Sequence, residues 1–131
     1  MRTVNKVILI GNVTRDALVK ETEWGKKLAM FSLATNRYYK TLDGENKSEV
    51  EFHNCVAWGP LAEKAEQYIT KGKLIYIEGR LKTRIIDKEG GDKFYKTEIV
   101  VGNMIFLNKK SDFEDAEINE DFSDIDNDNM F

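Results

Sequence analysis

The chain has 131 residues, with 20 Lys+Arg against 23 Asp+Glu, and its formal net charge of −3 argues, taken whole, against a phosphate-binding surface. No apolar run approaches the roughly 18 residues of a membrane span. One cysteine and one histidine exclude an internal disulfide and a Cys/His zinc cage, so a small cytosolic protein without metal or cofactor is expected.

The average conceals a division. All 20 basic residues and 14 of the acidic ones lie in residues 1–110, which leaves that part at +6. Residues 111–131 hold the other nine acids and no Lys or Arg, so they stand at −9. A cationic body of one ordinary domain (1–110) is expected to precede an anionic tail (111–131).

The body reads mainly as strands. Residues 4–13 (VNKVILIGNV) are β-branched and apolar on both alternating faces, as in a strand buried on both sides, with a bend or bulge at Gly11-Asn12. The N-terminus lacks a small-residue cleavage site, which speaks against a signal peptide. A turn around Trp24-Gly25 leads to a second strand at 28–39. A polar loop at 41–48, centred on Asp43-Gly44, leads to a third at 49–58. Pro60 then opens a helix whose apolar stripe is Leu61, Ala62, Ala65, Tyr68 and Ile69, with Gly72 as its left-handed stop. A fourth strand at 73–86 and a fifth at 94–107 flank the loop 87–92. Five strands with one helix between the third and fourth is the element order of the OB-fold, an all-β Greek-key barrel, although the order alone also fits other small α+β domains. After Lys110 the periodicity stops, and the Asp/Glu/Asn-dense tail is expected to be disordered.

Two strands carry the chemistry. On the fourth, Ile75, Ile77, Leu81 and Ile85 point one way and suit a core, while Arg80, Lys82, Arg84 and Ile86 point the other. Three cations at period two also fit a solvated edge strand. On the third, Val50, Phe52, Asn54, Val56 and Trp58 share one face, opposite Glu51, His53, Cys55 and Ala57. Two large aromatics on one face can be core, but by size Cys55 and Ala57 are the better core residues, which leaves Phe52 and Trp58 free to face outward. Tyr38 and Tyr39 end the second strand beside Arg37 and Lys40. Aromatics interleaved with cations suit single-stranded nucleic acid, each stacked base being worth roughly 1–3 kcal/mol. His53 reads as an interface or core imidazole and Cys55 as a small buried apolar residue. No catalytic pair or phosphate-cradling loop stands out, so no enzyme is expected.

The segments VNKVILIGNVTRD (4–16), FSLAT (31–35), EFHNCVAWGPLAE (51–63) and YITKGKLIYIEGRLKTR (68–84) resemble, in collinear order, the bacterial single-stranded DNA-binding protein family. The resemblance implies an OB-fold homotetramer that wraps single-stranded DNA without sequence preference. It implies stacking by Tyr39, Phe52 and Trp58. The family's fourth aromatic position falls on Ile86, which has no π-face. Backbone contacts are implied for Arg2, Lys6, Lys71, Lys73, Lys82 and Arg84; Arg37, Lys40 and Arg80 join them by position alone. His53 is implied near a subunit interface. The last residues, DNDNMF (126–131), are similar to the family's partner-binding tip, with Asp126, Asp128, Met130 and Phe131 as its carriers and Met130 standing where proline is common. The tail between body and tip is short and acidic, where the family usually has a long Gly-, Gln- or Pro-rich linker.

The expected function is therefore non-catalytic: protection of single-stranded DNA during replication, repair and recombination. Partner proteins would be recruited through the tip, and the location would be cytoplasmic and nucleoid-associated. The rival readings are an OB protein for RNA or primosome assembly, and a protein–protein adaptor that binds no nucleic acid.

Overall fold

The computed structural model describes residues 2–107, which form β1 (Val7–Val13), β2 (Leu18–Glu21), β3 (Lys27–Lys40), β4 (Asn46–Trp58), α1 (Pro60–Tyr68), β5 (Leu74–Asp87) and β6 (Lys93–Leu107). The expected tail, its tip and the boundary after Lys110 lie outside the described residues.

Closure of the sheet turns on β1. Its residues Val7 to Asn12 pair antiparallel with β5, and its last two, Asn12 and Val13, pair with β3. The order β1-β5-β6-β4-β3 thus returns to β1 as a ring, with β4 and β6 parallel and the other ring neighbours antiparallel. This is the five-stranded OB barrel, with α1 between its third and fourth strands. β2 is additional: among the described residues it pairs only with β3, through Leu18↔Met30 to Glu21↔Lys27. Four residues with one exposed face leave little periodicity to read, and the sequence showed only a turn there.

Gly11 makes the closure possible, and this is what its place near the strand end signifies. A Cβ at Gly11 would stand 2.6 Å from the Ala34 carbonyl oxygen, where β1 crosses β3. Strand β1 starts at Val7, not at Val4. Upstream, the Asn5 side chain takes the place of backbone pairing, donating to the Leu81 carbonyl and accepting from the Leu81 N–H, both at 2.8 Å. Nor is β1 buried on both sides. Leu9 and Val13 meet the core, whereas Ile8 is exposed.

The core gathers inside the ring: Val13, Ala29, Phe31, Leu33, Cys55, Ala57, Ile75, Ile77, Ile99, Val101 and Met104 are all buried. Ala62, Ala65 and Ile69 carry the apolar stripe of α1 onto it. Tyr68 lies at the rim instead, its ring tilted on Phe106 at 5.4 Å. The helix ends at Tyr68, and Ile69 is already extended. Gly72 is therefore not its stop: with φ +88°, it turns the chain into β5 and donates to the Val13 carbonyl at 2.7 Å.

Two hairpins outrun this core. Beyond Leu33 and Cys55 the β3–β4 arm is mostly exposed, as is the β5–β6 arm beyond Gly79 and Ile99. Leu81 and Ile85, expected inside, are consequently exposed. The periodicity is sound, but the register shifts by one residue at Glu78/Gly79, and past that point the barrel offers no interior to enter.

Candidate nucleic-acid interface

The antiparallel register of β3 and β4 runs unbroken from Leu28↔Trp58 to Lys40↔Asn46, so directly opposed residues share a face. Since Leu33, Cys55 and Ala57 are buried inside, Leu28, Met30, Ala34, Phe52, Val56 and Trp58 belong to the outer face. Phe52 is 66% exposed and Trp58 37%. Burying a large apolar side chain is worth roughly 1.5–3 kcal/mol, so a row of uncovered aromatics marks a surface kept for a ligand.

The cations of β5 reach the same region through β6. Val56 lies beside Val100 on β6, and Val100 is opposed by Arg80 on β5, followed outward by Lys82↔Glu98 and Arg84↔Lys96. Trp58, Arg80, Lys82, Val100, Val101 and Lys26 line an open hollow of about 470 Å³. The Lys26 ammonium stands 5.2 Å from the Trp58 ring, within cation–π range. Lys26 has no strand periodicity to betray it; only the β2–β3 turn brings it to Trp58. A narrower cleft of about 60 Å³ beside it is lined by Met30, Trp58, Lys82, Arg84 and Glu98 among others. There the Arg84 guanidinium meets Glu98 at 2.9 Å.

The other expected residues fall into separate groups. On the β3–β4 arm, Tyr39 is opposed to Lys47 and Arg37 to Glu49, which puts Tyr39 on the opposite pleat face from Phe52 and Trp58. Arg37 lies 5.1 Å from the Tyr39 ring and is paired with Glu49 at 2.8 Å. Tyr38 is the tyrosine on the Phe52 face, and both tyrosines line a hollow with Lys40, Asn46, Lys47 and Ser48. Ile86 stands near the end of the β5–β6 arm, opposed to Phe94. Lys71 and Lys73 occupy the segment between α1 and β5; Lys73 lies 5.9 Å from the Phe106 ring. Arg2 and Lys6 precede β1. Tip residues Asp126, Asp128, Met130 and Phe131 lie outside the described residues.

His53 is half-buried, and its Nε2 lies 2.9 Å from Thr35 Oγ1 across the β3–β4 pair. Cys55 is enclosed, and burial pushes its thiol up to about 12, which denies it a nucleophile's chemistry. Among the described residues no group of three His, Cys, Asp or Glu could hold a metal, and no helix is long and apolar enough to cross a membrane.

A closed OB barrel with exposed aromatics and a basic ridge on one outer wall defines a class, the OB proteins with a built surface for single-stranded nucleic acid. Comparison with known proteins narrows it. The profile of the Single-strand binding protein family matches residues 4–107, and the chain belongs to that family. It is 44% identical over 110 residues to single-stranded DNA-binding protein 1 of Chlorobaculum tepidum, covering 83% of this chain and 68% of that protein. To the single-stranded DNA-binding protein of Bacteroides thetaiotaomicron it is also 44% identical over 110 residues, covering 82% of this chain and 68% of the relative. Among solved structures, the Plasmodium falciparum SSB in complex with ssDNA superposes with a TM-score of 0.76 at 31% identity, over 82% of this chain and 98% of that one.

Proposed function

We propose that this protein binds single-stranded DNA without sequence preference and shields it during replication, repair and recombination, without catalysis. The observation that carries the reading is the Trp58 ring, exposed on the barrel wall and bordered by Lys26, Arg80 and Lys82. Bases stack on Phe52 and Trp58, while the cations, together with Arg84, neutralise phosphates and release counterions. Tyr39 is a third platform, reached by a strand that passes around the β3–β4 arm, with Arg37 and Lys40 beside it. Ile86 packs against a base without stacking. Arg2, Lys6, Lys71 and Lys73 extend the backbone track around the body. The protein assembles as a homotetramer with His53 near a subunit interface, and it works in the cytoplasm at the nucleoid. Residues 1–110 act as the DNA-binding unit, and residues 111–131 as an acidic tail. There Asp126, Asp128, Met130 and Phe131 recruit replication, repair and recombination proteins.

Titration with poly-dT tests this reading. Binding quenches Trp58 fluorescence, and the quench is absent from Trp58→Phe. Trp58→Ala combined with Phe52→Ala weakens affinity while the protein stays folded. A protein–protein adaptor would give neither a quench nor a shift on a DNA gel. An RNA-specialised barrel would release dT to an RNA competitor. Deleting 126–131 spares DNA binding and abolishes capture of replication and repair proteins.

A further inference from the structure

Near the end of the β5–β6 arm, Ile86 is opposed to Phe94 in an unbroken register that also sets Arg84 against Lys96, Lys82 against Glu98 and Arg80 against Val100. Opposed residues share a face, so Phe94 stands on the same face as the three β5 cations and on the face that reaches Trp58 through Val100. Phe94 lies six positions before Val100, a run of about 20 Å along an extended strand. The ring is 45% exposed, and the Lys88 ammonium stands 3.8 Å from its centroid. An exposed aromatic with its own cation, at the far end of a basic ridge that begins at Trp58, repeats the arrangement of Trp58 with Lys26. Ile86 beside it adds apolar surface but no π-face.

We propose that Phe94 is a base-stacking platform for single-stranded DNA, with Lys88 pairing the phosphate next to the stacked base. This rests on the DNA-binding reading above and extends its path from the barrel wall to the arm. A strand leaving Trp58 follows Arg80, Lys82 and Arg84 with its phosphates and sets a base on Phe94.

Poly-dT affinity measured against salt tests the platform. Phe94→Ala and Phe94→Leu each weaken binding about tenfold at every salt concentration, the loss expected of one stacked base. The slope of log affinity against log salt stays at the wild-type value, because no cation has been removed. Phe94→Trp keeps wild-type affinity. Lys88→Ala lowers the slope by about 0.7, the share of one phosphate contact on a single strand. Phe94→Leu keeps apolar packing against Ile86, so its loss reports the ring face and not the fold of the arm. If Phe94→Leu and Phe94→Ala both bind like wild type while Trp58→Ala is weakened, the platform is refuted and DNA binding stands. If wild-type protein does not bind poly-dT, the DNA-binding reading itself fails.

Discussion

Arg84 and Glu98 form an ion pair of unequal partners: the Arg84 Nε is 2.9 Å from Glu98 Oε1, with the carboxylate side chain 8% exposed and the arginine 51%. An acid on the proposed DNA wall is compatible with phosphate only because Arg84 lies over it, and Arg84 is held by the pair in a fixed direction. The cost of exposing Glu98 unpaired to phosphate would fall on binding, and the cost of leaving it buried and unpaired would fall on the fold.

Glu98→Gln removes the charge and keeps the shape. Arg84 then gives phosphate the charge it shares with Glu98 in the wild type, so the slope of log affinity against log salt should steepen by up to about 0.7. Affinity for poly-dT should rise at low salt. Arg84→Ala leaves Glu98 buried beside DNA and should weaken both binding and thermal stability. Titrations at four salt concentrations, with a melting curve for each variant, measure both effects.

Phe52 and Tyr39 lie on opposite faces of the β3–β4 arm and share no cross-strand partner. Phe52→Ala and Tyr39→Ala should each cost roughly 1–3 kcal/mol in binding. The costs should add to within about 0.5 kcal/mol in the double variant. A strongly sub-additive result would mean that one nucleotide uses both rings, against the face assignment.

Barrel closure is exposed to a single methyl group at two points. An alanine Cβ at Gly11 would meet the Ala34 carbonyl oxygen at 2.6 Å, and at Gly79 the Val100 carbonyl oxygen at 2.3 Å. Both neighbours are backbone, so each substitution should cost about 1–3 kcal/mol or more. Gly102→Ala, whose Cβ would lie 3.7 Å from the Glu78 oxygen, is the control and should melt near wild type. Thermal denaturation of the three variants distinguishes them.

The Cys55 thiol should resist alkylation at pH 8 in the folded protein and react promptly in denaturant. Its folded pKa of about 12 lies above the unassisted value of 9.0, so between those values the folded state holds a proton that the unfolded state loses. The contribution to stability is complete below pH 9 and is lost as pH rises toward 12. Denaturant midpoints should therefore fall more steeply above pH 9 for wild type than for Cys55→Ala.

Much of the proposed site was legible in the chain because strand alternation is local. The small Cys55 and Ala57 suited the interior, period two left Phe52 and Trp58 free to face outward, and both are exposed in the fold. The same arithmetic failed for Leu81 and Ile85, because periodicity says which side a residue takes and not whether a core lies there. The barrel wall ends before Leu81, and the shift at Gly79 marks that end.

By itself the sequence determined the division of charge at Lys110, the order of the five ring strands and helix, and the aromatic and cationic residues available for binding. These are properties of composition and of neighbours in the chain. The tertiary structure alone decided that Lys26 would stand on Trp58, that Glu98 would hold Arg84, that Tyr39 would turn away from Phe52, and that Phe94 would oppose Ile86. Each depends on cross-strand register or on how a loop folds back. Both bring together residues of different strands or loops, and alternation within a single strand records neither.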